Sequence, residues 1–238
     1  MKKISFFNFI RDERQISFSY HENGYDNIEE GNIFFKFNTP NCPSDDAIAL
    51  GLATIVAGFY DYIEFELSLR NNVFNYIKKY TKSTIKVKEV INCEYLPNHH
   101  GNIILNFSGG LDSLCAKFLL PPEKLKLVSV DFGERFLREK KFFSEFNPYI
   151  VETNVRALPF FKKIGSKNHH FMGIGTFLYF ELLEASYYVF GTIFDALRNG
   201  LKNNFLLNVR NTPYDIFNLQ RLYITEGLSE FSTAKIVS

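Results

Sequence analysis

The sequence predicts an α/β protein: a parallel, doubly wound sheet preceded by a smaller α+β subdomain. Three observations carry this. From residue 103 onward apolar runs bounded by turn residues alternate with helix-periodic stretches, which is the signature of βαβ units with helices on both faces of a sheet. Before that point strand-like and helix-like stretches are mixed without such regularity. Between the two lies "PNHHG" (97–101), a polar, turn-rich stretch that reads as a boundary, giving 1–98 as the N-terminal subdomain and 99–238 as the main domain.

The elements follow in order. "MKKISFFNFIRDER" opens with basic residues, but its apolar stretch is short, broken by Asn8 and closed by charges, so it reads as a first strand or helix and not as a signal peptide. "QISFSY" (15–20), "NIFFKF" (32–37) and "YIEFELSL" (62–69) read as strands, and "SDDAIALGLATIVAG" (44–58) and "NNVFNYIKKY" (71–80) as helices. In the second part "IILNF" (103–107) is a buried strand, and "DSLCAKFLL" (112–120) a helix stopped by Pro121 and Pro122. "LKLVSVDFG" (125–133) is the next strand, 134–146 an amphipathic helix and "YIVET" (149–153) a third strand. Residues 173–194 reach membrane-spanning length, yet they hold Glu181 and Glu184 and turn β-branched and aromatic after Ala185. A helix (176–185) followed by a buried strand (186–191) is predicted there.

Composition narrows the function classes. A chain of 238 residues with 46% hydrophobic and 22% charged residues can bury a sizeable core. A formal net charge of +1 offers no bulk attraction to nucleic acid or membrane. Cys42, Cys93 and Cys115 are odd in number and widely spaced without a CxxC, which predicts neither a disulfide framework nor a zinc site, and places the chain in a reducing cytoplasm.

The chemistry concentrates in "SGGLDS" (108–113), set between the 103–107 strand and the following helix. Gly109 and Gly110 admit backbone conformations that a Cβ would exclude, so successive N–H groups can converge, and the helix start adds its positive dipole end. Such a turn cradles phosphate. Ser108 and Ser113 supply hydroxyls at the rim, the backbone of Leu111 continues the cradle, and Asp112 would either reach a magnesium ion or cap an amide. Neither GxxxxGK[ST] nor GxGxxG is present.

"SGGLDS" after a strand resembles the pyrophosphate loop of the N-type ATP pyrophosphatases, and "SVDFGERFLREKKFF" (129–143) resembles the segment after the second strand of 7-cyano-7-deazaguanine synthases within that superfamily. The order of elements through "YVFGTIFDALRNG" (188–200) is similar too, so the resemblance covers roughly residues 100 to 237. It implies the PP-loop fold and an AMP-forming ligase: magnesium-ATP adenylates a carboxylate of the 7-carboxy-7-deazaguanine kind, and ammonia displaces AMP. It implies ATP and Mg2+ as cofactors, Ser108, Gly109, Gly110, Leu111, Asp112, Ser113 and Asp131 at the nucleotide, Asp112 on magnesium, and Asp112, Asp195 and Arg135 in catalysis.

The residues leave alternatives at several of these positions. Asp131 would meet the adenosine or form a turn before Gly133; Arg135 would bind a phosphate or carboxylate, or make a surface ion pair; Asp195 would hold magnesium or substrate, or cap a helix. His99, His100, His169 and His170 read as loop residues because adjacent histidines do not project into one site. "FFKKIGSKNHH" (160–170) is either a lid over ATP through Lys162, Lys163 or Lys167, or a solvated connection. Cys115 reads as a small buried hydrophobe. The family's four-cysteine zinc site has no counterpart, and its lysine in the helix start near "SEFSTAKIVS" falls on Thr233, with Lys235 two residues on. The partners expected are a small carboxylate and ammonia, with neither membrane nor nucleic acid; residues 1–98 are free to meet a protein partner, and a homodimer is open. The contrasting reading is a nucleotide-binding sensor or assembly subunit without turnover, and a third is amidation of a different acid.

Overall fold

The structure is a computed structural model and describes residues 1–24, 28–94, 101–133, 140–141, 143–164, 169–193 and 212–238. Ten strands form one mixed sheet in the order β10-β9-β6-β7-β8-β3-β2-β1-β4-β5. The first five are β1 (Lys3–Arg11), β2 (Gln15–Asn23), β3 (Ile28–Phe37), β4 (Tyr62–Arg70) and β5 (Thr84–Ile91). The others are β6 (Asn102–Asn106), β7 (Leu125–Asp131), β8 (Tyr149–Thr153), β9 (Ala185–Phe190) and β10 (Gln220–Arg221). The α/β class is as expected, with helices packed on the sheet. The pairs β7–β8, β6–β7, β6–β9, β9–β10, β1–β4 and β4–β5 are parallel, and β1–β2, β2–β3 and β3–β8 are antiparallel.

The strands of the first part follow the period of two, clearest in β2 and β4, whereas β1 departs from it after Phe7. In β2 Ile16, Phe18 and Tyr20 are buried while Ser17 and Ser19 point the other way, and β4 buries Ile63, Phe65, Leu67 and Leu69. Over this inner face lie α1 (Asp45–Val56), started by Ser44 whose side chain accepts from the Ala47 N–H, and α2 (Asn71–Thr81), ended by Lys82 in the left-handed region. α1 is buried all round because it packs on β4, on α2 and on α6 (Ile174–Tyr179) of the second part. Its approach to α6 is close enough that a Cβ on Gly51 would stand 3.1 Å from the Ile174 side chain.

The central strand of the second part is covered on both sides. In β6, Ile103 and Leu105 join the small cluster under α3 (Leu111–Leu119), whereas Ile104 faces the large cluster that contains Ile174 and Phe177 of α6. That explains the unbroken apolar run of the sequence. The short helices α4 (Phe143–Phe146) and α5 (Pro159–Ile164) and α7 (Glu230–Val237) complete the described α-helices.

The two parts share one sheet through β3 and β8, where Phe35, Lys36 and Phe37 pair with Thr153, Glu152 and Val151. Three sequence expectations are corrected. The 176–185 helix is shorter, Ile174–Tyr179, because the chain turns at Glu184, whose positive φ lets the Ala185 N–H reach the Phe180 carbonyl before β9 begins. β5 was not expected, although Ile85 and Val87 alternate with Lys86 and Lys88. The 160–170 stretch is helical at its start, as α5. The expected boundary at 97–101 lies outside the described residues apart from Gly101, as do 134–139 of the expected 134–146 helix.

Candidate nucleotide site

The strands β8-β7-β6-β9-β10 run in the order in which a doubly wound sheet reverses direction between β6 and β9, and ligands bind such sheets beyond the carboxyl ends of the strands at that crevice. The segment Ser108–Gly110 leaves β6 at this point. Its start is pinned: Phe107 donates its N–H to the Val128 carbonyl at 2.8 Å, and the buried Ser129 hydroxyl donates to the Phe107 carbonyl at 2.7 Å. Gly109 follows with φ +80°, a conformation that strains any residue with a Cβ.

The turn is internally bonded. Gly110 donates its N–H to Ser108 Oγ (3.2 Å), Ser113 Oγ donates to the Gly110 carbonyl (2.9 Å), and the two serine hydroxyls lie 3.3 Å apart. Leu114 makes the first helical bond, to the Gly110 carbonyl, so the N–H groups of Leu111, Asp112 and Ser113 lie ahead of it, and no side chain caps this end of α3. On the far side Gly191, directly after β9, presses its backbone against the helix start. A Cβ there would stand 2.6 Å from the Ser113 nitrogen and 2.8 Å from the Asp112 carbonyl carbon. The helix end is therefore seated between the ends of β6 and β9.

Asp112 is half-buried, and burial, then the nearby carboxylate of Glu230, hold its pKa above the usual range. Glu230 opens α7, which packs along α3 and is capped by Ser229 accepting from the Ser232 N–H. The Asp112 carboxylate thus lies near that of Glu230 and at the uncapped start of α3, beside its free-standing first N–H groups. Thr233 is buried, with its hydroxyl on the Glu230 carbonyl (2.8 Å), whereas Lys235 is exposed and lies over the Phe231 ring.

The other expected residues divide clearly. Asp131 ends β7 at the same sheet edge, but its Oδ1 accepts the Gly133 N–H (3.0 Å) and its Oδ2 meets Lys140 (2.5 Å), so its carboxylate is taken up by a turn and an ion pair. Arg135 and Asp195 lie outside the described residues, as do His99, His100 and Lys167. Lys163 does not face the loop: it bridges Glu22 and Glu29 of the β2–β3 hairpin at 3.1 and 2.7 Å. His170 packs edge-on against Tyr80 and Tyr214. Cys115 is buried, and burial, then Asp112, push its thiol up, so it is packed as a small hydrophobe.

Three residues at this edge were not singled out in the sequence: Ser129, Arg221 and Glu226. Nothing near Arg221 and Glu226 signals a site, since "YITEGL" (223–228) matches no motif. No group of three or more His, Cys, Asp or Glu suited to a metal occurs among the described residues, and no helix among them is long and apolar enough to cross a membrane. Comparison with protein-family models, curated proteins and solved structures finds no match, so the chemistry of the site rests on its own residues.

Proposed function

We propose that the chain is an ATP-dependent, AMP-forming ligase of the PP-loop type that activates a carboxylate on a nucleobase-like acid for attack by ammonia. The observation that carries the reading is the glycine turn with φ +80° at Gly109, placed at the crevice between β6 and β9 and continued by the uncapped start of α3. The N–H groups of Leu111, Asp112 and Ser113 would take the charge that builds on the pyrophosphate as it leaves. Asp112, with Glu230 beside it, would hold magnesium, which supplies charge neutralisation at the phosphates.

The substrate carboxylate oxygen attacks the α-phosphorus, the bond to pyrophosphate breaks, and ammonia then displaces AMP from the acyl carbon with loss of one proton. Arg135 is assigned to the substrate carboxylate or a phosphate, and Asp195 to magnesium or substrate. A nucleotide-binding assembly subunit is the second reading, favoured by the outer face of β1–β5, on which no helix packs among the described residues.

Calorimetric titration of magnesium-ATP into the wild type, Gly109→Val and Asp112→Ala tests the site. Micromolar binding that the valine abolishes and the alanine weakens supports it; a folded wild type that binds no nucleotide sinks it. AMP and pyrophosphate release with 7-carboxy-7-deazaguanine and ammonium then separates ligase from assembly subunit, because only the ligase turns over.

A further inference from the structure

Strand β6 leaves the sheet between two neighbours, and its main-chain ladder stops early on both sides. Its last registered pairs are Asn106 with Val128 of β7 and Asn106 with Phe190 of β9. Phe107, which is buried, adds one more bond by giving its N–H to the Val128 carbonyl. The next rung of a parallel ladder would bring an N–H of β7 to the Phe107 carbonyl. In its place the hydroxyl of Ser129, itself only 1% exposed, donates to that carbonyl at 2.7 Å. A side chain has taken over a main-chain bond, so the chain parts from β7 without leaving a buried acceptor unmet.

The β9 side is held in the same manner. Asn106 Nδ2 donates to the Val189 carbonyl (3.1 Å), while its Oδ1 accepts from the buried hydroxyl of Thr176 on α6 (2.9 Å). Past the end of β9 the Thr225 hydroxyl donates to the Thr192 carbonyl (2.9 Å), and the next residue, Glu226, is buried in an ion pair with Arg221 of β10. Of these contacts it is the Ser129 bond that grips the residue directly before the glycine turn. The peptide ahead of it is held by Val128, and the Phe107 ring packs edge-on against Phe146 at 5.2 Å, so the peptide plane from which Ser108 departs has one orientation. Ser108 Oγ then takes the Gly110 N–H, and α3 starts from that turn.

We propose that Ser129 is a positioning residue for phosphate recognition. It touches no substrate; through the Phe107 carbonyl it sets where the N–H groups of Leu111, Asp112 and Ser113 stand. This deepens the ligase reading and rests on its nucleotide site, whose grip on the pyrophosphate portion of ATP is thereby set from the neighbouring strand β7.

The test titrates magnesium-ATP and magnesium pyrophosphate by calorimetry into the wild type, Ser129→Ala, Ser129→Thr and Ser83→Ala. Ser83 is the matched control, a buried hydroxyl that donates to the main-chain carbonyl of Tyr60 at 2.6 Å in the first part of the sheet. Losing either hydroxyl should lower the thermal midpoint by about 2–4 °C. Ser129→Ala should bind both ligands about tenfold more weakly, whereas Ser83→Ala should bind them as the wild type does. Ser129→Thr keeps the hydroxyl on a residue that suits a strand, and should restore most of the affinity. Wild-type affinity in Ser129→Ala, an equal loss in Ser83→Ala, or no recovery in a folded Ser129→Thr would overturn the proposal and leave the nucleotide site standing. A folded wild type that binds neither ligand removes the nucleotide site and the proposal together.

Discussion

The two ends of the sheet are built on different terms. β1 to β5 are covered on one face only, so Phe65 is wholly buried while its neighbours Glu64 and Glu66 face outward. β6 is covered on both, so its adjacent residues Ile104 and Leu105 are equally buried in different clusters. A two-sided sheet leaves ligands only its strand ends, and the glycine turn, Asp131, Gly191 and the Arg221–Glu226 pair all lie there. A one-sided sheet leaves a whole face, which suits contact with another macromolecule better than enclosure of a small one.

Truncation is the strongest way to break this contrast. Phe65→Ala should cost about 3–5 kcal/mol in denaturant unfolding, whereas outward-facing Ser17→Ala on the neighbouring part of the sheet should stay within about 0.5 kcal/mol. In β6 no such alternation should appear: Ile104→Ala and Leu105→Ala should each cost about 2–5 kcal/mol. A cheap substitution at either β6 position would mean that one face is not closed.

At the strand ends the expected effects are on binding. Gly109→Val forces a β-branched residue into φ +80°, costing about 1–3 kcal/mol of strain, and should remove nucleotide binding while the protein still unfolds in one transition. Gly191→Ala should push the start of α3 away from the end of β9 and weaken magnesium-ATP severalfold, read by the same calorimetry.

The smallest effect sharpens the comparison through pH. Burial raises the Glu226 pKa above its ordinary 4.5, with Arg221 opposing, so its contribution to stability is full below about that pH and is lost as pH rises through the folded value. Glu64, on the outer face of β4, has the opposite sign: the hydrogen bond from Lys86, and then Lys3, outweigh its partial burial and lower its pKa, so its contribution is present above 4.5 and lost as pH falls. Thermal midpoints measured from about pH 2 to 8 should therefore respond oppositely to an Arg221→Met, Glu226→Leu double variant and to Glu64→Gln. The same direction in both would contradict the two environments.

Local chemistry was legible in the sequence. Period-two alternation located β2, β3 and β4, an unbroken apolar run located β6, and two glycines between serines located the turn that follows it. What escaped depended on partners far along the chain. Lys163 looks like a lid residue until the β2–β3 hairpin brings Glu22 and Glu29 against it. Asp131 looks available until Lys140 meets it. Glu226 stands in a stretch without a motif, and only the packing of its turn against the end of β9 buries it. The β5 strand had its signal, Ile85 and Val87 between lysines, but its role as a parallel edge partner of β4 is set by the crossover through α2.

The seam between β3 and β8 also has a consequence for synthesis. Phe35 and Phe37 emerge from the ribosome more than a hundred residues before Val151 and Thr153, the residues that will pair with them. At ordinary elongation rates that interval is on the order of 10 s. Throughout it the β1–β3 meander carries an apolar, unpaired border, so a nascent chain stalled ahead of β8 should be a strong client for holdase chaperones, and one released past Thr153 a weak one.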